Sequence, residues 1–194
     1  MDIAAVKTQI ENALPGVALQ PVRDSLLIKN PQDILKVAGF LKESADYRLD
    51  YLSSLTGADY LQYIEVIYHL YSMEKKTGPL VLRVRADRNQ PKVPSLVSVY
   101  RGAEYQERET FDMYGIHFEN HPDLRRIFMW EGFEGFPMRK DYQQEDSEVL
   151  ETADVEWLEQ HGVQVPDDLR KQAEELKKLG KRAVAQKPSK QEAE

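Results

Sequence analysis

A period-two alternation of apolar and polar residues constrains the fold of this chain more than any other feature. In residues 64–70 every second side chain is β-branched, aromatic or aliphatic, and the same spacing recurs in residues 80–86. Such side chains at such a spacing predict two strands, and the turn-like residues 74–79 between them predict an antiparallel hairpin. Arg83 and Arg85 point to the other face, which is therefore solvated or reserved for a partner.

Helical signals flank the predicted hairpin on both sides. Apolar residues at helical spacing predict a helix over residues 4–14, and Asn30 with Pro31 supplies the cap and first turn of another that runs to about residue 42. Residues 95–100 and 103–114 are also interpreted as helical, with Gly115 as the stop. The predicted fold class is α+β, with N-terminal helices packed on a small, largely antiparallel sheet, then an irregular extended C-terminal arm and a helical tail.

Three regions follow from this pattern. Residues 1–115 form the predicted α+β domain, and glycines and a proline make residues 116–142 an irregular extended segment that we call the docking arm. The remaining residues, 143–194, are expected to comprise an acidic linker, a short helix over residues 167–181 and a disordered end.

The segment of residues 107–142 combines a high density of charges with a high density of aromatic side chains. A solvated helix is charged but carries few aromatics, whereas a core is aromatic but uncharged. The centres of protein interfaces are enriched in Tyr, Trp, Phe, Met and Arg, all of which occur here. The composition of this segment therefore predicts that it docks on another protein.

Composition excludes several classes of function. The chain has no cysteine, so thiolate-held iron–sulfur clusters, cysteine-type zinc sites and cysteine nucleophiles are excluded. Its net charge of -7 argues against nucleic acid as a partner. No stretch approaches the ~20 apolar residues of a transmembrane helix, and no glycine-rich nucleotide-binding or Gly-x-Ser-x-Gly motif occurs.

Two histidines are candidates for a metal site. His117 and His121 stand four residues apart, a spacing that on a helix would present both imidazoles on one face. Gly115 and Pro122 flank the pair, however, so the helix that the spacing requires is not expected. A structural role is the favoured interpretation, with a metal site as the alternative.

Acidic residues and an arginine cluster in the predicted helix just before the docking arm. Glu107 and Arg108 lie on its apolar side, where a charge must be paired and hydrogen-bonded. We expect their partners among Asp123, Arg125 and Arg126, and we expect Arg125 to compensate a buried carboxylate. Acid–base catalysis by this cluster is the alternative.

The docking arm and the helix before it carry three motifs that resemble a known family. ERETFDMYGI, HPDLRRI and GFEGFPMRKDY occur in order and look like the signature of the 30 kDa (C-type) subunit of the proton-pumping NADH:quinone oxidoreductase, respiratory complex I. The layout of the first 142 residues is compatible with that family. Two positions depart from it, because Tyr105 stands where the family usually has Trp and Phe136 where it usually has His.

The resemblance implies a structural, non-catalytic subunit of the hydrophilic arm that braces the quinone-site (49 kDa-type) subunit near the iron–sulfur subunits. It implies that this chain binds no cofactor, and that FMN, iron–sulfur clusters and quinone reside in partner subunits of an oxidoreductase that passes electrons from NADH to quinone and translocates protons. It further implies a peripheral membrane protein on the cytoplasmic face of a bacterial inner membrane. The signature residues expected to fix the arm and its interface are Glu107, Arg108, Glu109, Asp112, Gly115, His121, Pro122, Asp123, Arg125, Arg126, Gly132, Gly135, Pro137, Arg139, Lys140 and Asp141.

Two rival functions stay open from the sequence alone. Related ferredoxin-driven or membrane-bound hydrogenase complexes use similar subunits, and this chain does not identify the electron donor. A free-standing enzyme that uses the acidic cluster or the two histidines belongs to another class, and it predicts activity or bound metal in the purified chain.

Overall fold

A computed structural model describes residues 2–130, 132–142, 152–160, 162, 164–167, 169–171, 173–175 and 177–178 of the chain. The chain divides into two compact units, Met1–Gln143 and Gln144–Glu194. In the described part, no helix is both long enough and apolar enough to cross a membrane.

Helices and short strands open the first unit. Helix α1, Ile3–Ala13, begins at Asp2, whose side chain accepts a hydrogen bond from the backbone N–H of Ala4. Strands β1, Leu19–Val22, and β2, Ser25–Ile28, follow as an antiparallel pair. A 3₁₀ turn at Pro31–Asp33 leads into helix α2, Ile34–Glu43, as the Asn-Pro start signal predicts.

The main sheet has five strands in the order β1-β2-β5-β4-β3. Strands β3 (Tyr51–Asp59), β4 (Tyr63–Ser72) and β5 (Thr77–Asp87) form an antiparallel meander, while β2 pairs with β5 in parallel. The prediction of an α+β fold with N-terminal helices and a largely antiparallel sheet is confirmed.

The core lies on the sheet face that the alternation predicts. Tyr68, Leu70 and Leu82 are fully buried, and Val37 and Leu41 of α2 belong to the same cluster. The opposite face carries Arg83 and Arg85, which both pair with the buried carboxylate of Glu65. The two faces of the sheet thus differ as period-two patterning requires.

The connection after the sheet differs in part from its prediction. Strand β6, Lys92–Pro94, is followed not by a helix but by a turn in which the backbone N–H of Tyr100 donates to the carbonyl of Leu96. The helical interpretation of residues 95–100 is therefore wrong. Ser95 continues the extended chain instead, because its backbone N–H donates to the carbonyl of Glu119.

Helix α3, Ala103–Tyr114, occupies the predicted range and ends at Gly115, which adopts a left-handed conformation with φ 72°. Strand β7, His117–Glu119, then pairs in parallel with β6 in a two-stranded sheet. The docking arm thus begins with β7. The rest of the arm, in its described residues, has no further helix or strand.

The second unit contains helix α4, Thr152–Gln160, in a stretch where an acidic linker was expected. Val155, Val165 and Ala173 are buried together. The described residues between 167 and 178 are helical, in keeping with the predicted short helix. The expected disordered end, residues 186–194, lies outside the described residues.

Candidate functional site

Helix α3 buries three of the charged signature residues rather than exposing them. Glu107, Arg108 and Asp112 are all buried, whereas Glu109 faces solvent. Because a buried charge is stable only when it is paired or hydrogen-bonded, each buried residue identifies a structural connection. Two of the three connections lead to the docking arm.

Asp112 holds the middle of the docking arm. Its Oδ2 accepts hydrogen bonds from three successive backbone N–H groups, those of Ile127, Phe128 and Met129, at 3.0, 2.7 and 2.9 Å. Its Oδ1 accepts from Nη1 of Arg126 at 3.1 Å. Desolvation raises the pKa of Asp112, but the three backbone donors and Arg126 outweigh it, so the pKa is lowered and the carboxylate stays ionised.

Arg126 extends this anchor to the far end of the arm. Its Nη2 donates to the carbonyl of Gly135 at 3.0 Å, and its guanidinium lies 5.5 and 5.3 Å from the ring centroids of Phe133 and Phe136. Such contacts combine charge-assisted hydrogen bonding with cation–π attraction. Arg126 therefore ties residues 133–136 to helix α3 through Asp112.

Arg108 reaches the docking arm without the acidic partner that the sequence suggested. Its Nε and Nη2 donate to the carbonyl oxygens of Arg125 and Arg126 at 3.1 and 3.4 Å. The guanidinium lies 5.6 Å from the ring centroid of Tyr105. The expected pairing with Asp123 is wrong, because Asp123 accepts a hydrogen bond from Arg125 instead.

The Arg125–Asp123 pair lies at the surface. The side chain of Arg125 is 70% exposed and that of Asp123 is 49% exposed, and Nε of Arg125 lies 2.8 Å from Oδ2 of Asp123. Arg125 therefore does not compensate a buried carboxylate, and that expectation is corrected in favour of Arg126. Adjacent arginines point to opposite sides of an extended segment, and nothing in the dipeptide itself shows which one points inward.

A second anchor joins the end of the docking arm to the main sheet. Asp59, at the end of β3, accepts hydrogen bonds from the backbone N–H groups of Lys140 and Leu61 at 2.8 and 2.7 Å and also pairs with Arg88. Arg88 also binds Asp141 at 2.7 Å. Desolvation opposes ionisation of Asp59, yet these donors together lower its pKa to about 2.

Asp59 and Arg88 escaped the sequence analysis because both lie outside the three motifs. The only sequence signal was their position at strand ends, where side chains often serve loops. Their contact with Lys140 and Asp141 is decided by the sheet, which brings the ends of β3 and β5 next to the arm.

Glu107 belongs to the core side of α3 and has no arginine partner among the described residues. Its carboxylate accepts hydrogen bonds from Oγ of Ser95 at 2.6 Å and from the backbone N–H of Leu96 at 2.7 Å. The expectation of an arginine partner from the docking arm is wrong. Burial, only partly offset by these two donors, raises the pKa of Glu107 to about 7.

His121 packs beside Glu107 at the start of the docking arm. The nearest atoms of the two buried side chains, Nε2 of His121 and Oε2 of Glu107, lie 4.0 Å apart. Nδ1 of His121 accepts from the backbone N–H of Asp123 at 3.0 Å, so Nε2 carries the proton and donates to the carbonyl of Glu104 at 3.0 Å.

His121 and His117 therefore have different roles. His117 lies on β7 and is exposed, and His121 lies past the end of that strand with both ring nitrogens engaged. Among the described residues, no group of three or more His, Cys, Asp or Glu side chains is placed to hold a metal ion. The spacing of the two histidines reflects a strand and a turn rather than one helical face.

Glycines shape the docking arm where its backbone turns. Gly115 lies against Phe136, and a Cβ at this position would overlap the ring. Gly135 has φ 83°, and a Cβ there would crowd the ring of Tyr142. The remaining signature positions with backbone roles are Pro122, Gly132 and Pro137.

Phe136, which replaces the family histidine, has a clear structural setting. Its ring centroid lies 4.8 Å from the guanidinium of Arg139, whose Nε donates to the carbonyl of Tyr114 at 2.7 Å. The aromatic ring thus supports Arg139 by stacking rather than by a hydrogen bond.

The docking arm and helix α3 expose large apolar side chains. Phe128, Trp130 and Met138 are 61%, 69% and 55% exposed, and Tyr105 of α3 is 61% exposed. These four residues, which we call the aromatic surface, are of the types enriched at interface hot spots. Buried carboxylates thus hold the backbone of the arm while these large side chains stay exposed.

Comparison with known proteins agrees with the motif resemblance. Residues 27–148 match the family described as respiratory-chain NADH dehydrogenase, 30 Kd subunit. The second C-type subunit of the NADH-quinone oxidoreductase of Rhizobium meliloti (strain 1021) is 47% identical over 116 residues, which are 58% of this chain and 62% of that protein. This match thus spans less than two thirds of that relative.

A second relative is covered almost completely. The C-type subunit of the NADH-quinone oxidoreductase of Roseiflexus sp. (strain RS-1) is 39% identical over 167 residues, which are 83% of this chain and 95% of that protein. Among solved structures, a chain of the membrane-bound sulfane sulfur reductase, an archaeal respiratory membrane complex, has a similar fold. It is 22% identical, with a TM-score of 0.56 over 84% of this chain and 92% of that chain.

Proposed function

We propose, from the premise that the chain belongs to the 30 kDa subunit family of respiratory-chain NADH dehydrogenase, that it is a non-catalytic structural subunit of a proton-translocating NADH:quinone oxidoreductase. Its docking arm braces the quinone-site subunit near the iron–sulfur subunits. The complex passes electrons from NADH through FMN and iron–sulfur clusters to quinone in those partners. The chain itself is a peripheral membrane protein, held on the cytoplasmic face through the complex.

One observation carries the bracing role: the backbone of the docking arm is held by buried carboxylates, while large apolar side chains of the arm are exposed. Asp112 and Asp59 hold its backbone against α3 and the main sheet, and the aromatic surface remains open to solvent. A preorganised backbone lowers the entropy lost on binding, and exposed Trp, Phe and Tyr supply the apolar contact area.

The geometry does not favour the alternative that the chain is a free-standing acid–base enzyme. Glu107 and Asp112, the buried carboxylates of α3, are engaged by backbone N–H groups, Ser95 and Arg126. An acid–base catalyst must be within reach of a substrate proton, and these carboxylates lie inside the protein. Their roles are structural in this proposal, and the chemistry belongs to the partner subunits.

The test is co-purification of the tagged chain from detergent-solubilised membranes of its native host, with mass spectrometry of the companions and an assay of NADH:quinone reductase activity. The double variant Phe128→Ala, Trp130→Ala should reduce recovery of the quinone-site subunit at least about tenfold, because large side chains at hot spots dominate such interfaces. Tyr51→Ala, which removes a side chain that is 49% exposed on β3, is the matched control.

Three outcomes discriminate between the functions. Co-purification of flavin-bearing, iron–sulfur and quinone-site subunits with NADH oxidation supports the proposal. Co-purification of the same partners without the flavin-bearing subunit would show that the chain belongs to a related complex with another electron donor. Unchanged recovery of the quinone-site subunit with the double variant would contradict the bracing role of the aromatic surface.

A further inference from the structure

A basic pocket opens between the β6–β7 pair and the end of the docking arm. Its volume is about 480 Å³, and the residues that line it are Asn89, Gln90, Pro91, Lys92, Gly115, His117, Phe136 and Arg139. None of them is acidic, on a chain whose net charge is -7. The local charge of the pocket is therefore opposite to that of the protein as a whole.

The register of the two strands places two basic side chains side by side. Lys92 and His117 are direct partners in the parallel β6–β7 ladder, so their side chains leave the sheet on the same face. Both are exposed, and neither side chain has a hydrogen bond or ion pair within the described residues. Their donors are free to bind an external group.

Arg139 is the inner wall of the pocket and lacks an anionic partner within the part of the chain that the structure describes. Within the described residues, Nε of Arg139 donates to the carbonyl of Tyr114 and the guanidinium stacks on Phe136. Arg88 pairs with both nearby carboxylates, those of Asp59 and Asp141. Desolvation and then the charge of Arg88 lower the pKa of Arg139, against the weaker attraction of the two carboxylates. A half-buried guanidinium in such a position gains more than an exposed one from an added anion.

The acidic residues nearest in sequence to the pocket already accept hydrogen bonds. Asp87 accepts hydrogen bonds from the backbone N–H groups of Asn89 and Gln90. Glu119, two residues beyond His117 on β7, accepts from the side-chain amide of Gln32. Asp87 thus satisfies two backbone donors that line the pocket, whereas the side chains of Lys92 and His117 have no acceptor among the described residues.

We propose that the basic pocket receives a carboxylate side chain of the partner subunit that docks on the arm. The inference rests on the proposed function and adds a charge-specific contact to it. Lys92 and Arg139 bind the two carboxylate oxygens, and His117 closes the side of the pocket. Phe136 holds the guanidinium in place by stacking.

Two features favour a protein carboxylate over a free anion. The pocket is partly built by the docking arm, since Phe136 and Arg139 line it, and Arg139 directly follows the exposed Met138 in the chain. In addition, an ion pair at an open, hydrated site contributes little, whereas the same pair enclosed by a docked interface contributes to both affinity and specificity. The pocket thus becomes a strong carboxylate site only when a partner covers it.

Zero-length carbodiimide cross-linking of the isolated complex tests the contact directly, since it joins an amine to a carboxylate only where the two touch. Mass spectrometry should find an amide between Nζ of Lys92 and an Asp or Glu of the partner subunit. Lys92→Gln should abolish that cross-linked peptide. Lys29, exposed and remote in sequence from the docking arm, is the internal reference and should form no cross-link to that partner.

A charge reversal supplies an independent measure. Lys92→Glu should lower recovery of the assembled complex at least about fivefold, through repulsion of the incoming carboxylate. Lys29→Glu, with the same change of charge, should leave recovery unchanged. Because Lys92 is an exposed strand residue, the variant should keep the circular dichroism spectrum of the parent chain.

The outcomes separate this inference from the proposed function. One contrary result is an assembled complex in which Lys92 forms no cross-link and reacts with an amine-acetylating reagent as readily as in the isolated chain. That result would overturn the proposed carboxylate contact while leaving the subunit role intact. Purification of the chain without any partner subunit would overturn both.

Discussion

The main sheet and the docking arm belong to one compact unit, but different forces hold them in place. The sheet buries a continuous apolar cluster that includes Tyr68, Leu70 and Leu82. Between residues 122 and 142, by contrast, no described residue is buried. The backbone there is bound by the carboxylates of Asp112 and Asp59 and by the guanidinium of Arg108.

The difference shows how a protein can carry an ordered segment that has little core of its own. Apolar burial is spread over many residues, so the sheet is stabilised collectively. The docking arm depends on a few charged groups that hydrogen-bond to its backbone, of which Asp112 alone accepts from three N–H groups. Such a segment keeps a defined shape while its apolar side chains remain available to a partner.

The largest effect on the docking arm, relative to the main sheet, should come from Asp112→Ala. It removes four hydrogen bonds to the docking arm and leaves Arg126 without its carboxylate. Breaking a buried charge pair typically costs about 3–5 kcal/mol. Hydrogen exchange should show loss of protection at Ile127, Phe128 and Met129, with the amides of β4 little changed.

Asp112→Asn is the matched control, because it keeps an acceptor of similar size without the charge. It should retain part of the protection in the docking arm. Equal loss of protection in the arm and in β4 would show that the two regions unfold together and would contradict the contrast drawn between them.

The reciprocal change is Leu82→Ala in the core of the sheet. Truncation of a fully buried leucine costs about 2–5 kcal/mol, and here it should lower the global free energy of unfolding. Chemical denaturation followed by far-ultraviolet circular dichroism measures the effect. Protection should fall in β4 and in the docking arm alike, and selective loss in the arm alone would contradict the expected dependence.

A smaller effect, with a distinctive pH dependence, is expected from Glu107. Its folded-state pKa of about 7 lies above the ordinary value of 4.5, so the folded protein holds the proton more tightly than the unfolded chain. The contribution of Glu107 to the free energy of unfolding is fully present below pH 4.5 and is lost as the pH rises through about 7. The loss is about 3 kcal/mol at most. Glu107→Gln should flatten the stability profile in that window.

The contribution of Asp59 to stability has the opposite pH dependence to that of Glu107. Its folded pKa of about 2 is below the ordinary 3.8, so its contribution is present above pH 3.8 and is lost as the pH falls towards 2. Acidification from pH 7 to 5 should therefore stabilise the core side of α3, and further acidification should release the docking arm. A Glu107→Gln profile as steep as that of the parent between pH 4.5 and 7 would contradict the assignment.

The smallest effect should come from Arg125→Ala, in contrast to its neighbour. Arg125 makes an exposed pair with Asp123, so its removal should change the free energy of unfolding by less than about 0.5 kcal/mol. Arg126→Ala removes charged hydrogen bonds to Asp112 and Gly135 and should cost about 1.5–3 kcal/mol. Thermal unfolding of both variants measures the difference, and equal losses would contradict the assignment of Arg126 as the anchor.

The sequence by itself determined helices α1, α2 and α3, the β4–β5 hairpin and the segment predicted to dock. Alternation places Ile64, Val66 and Leu82 in the core, because a strand turns every second side chain to the same face. Gly115 ends α3 where its conformational freedom predicts, and the glycines beyond it predict an irregular arm. The three motifs indicated the family that the wider comparison confirmed.

Tertiary structure alone decided which charges meet. The sequence suggested Arg125 as a buried partner, but the path of the arm turns Arg126 inward to Asp112 and leaves Arg125 in solvent. Asp59 reaches Lys140, which is 81 residues away, because the sheet order brings the end of β3 beside the arm. Local periodicity fixes the direction of a side chain within an element, whereas its partner depends on the packing of all the elements.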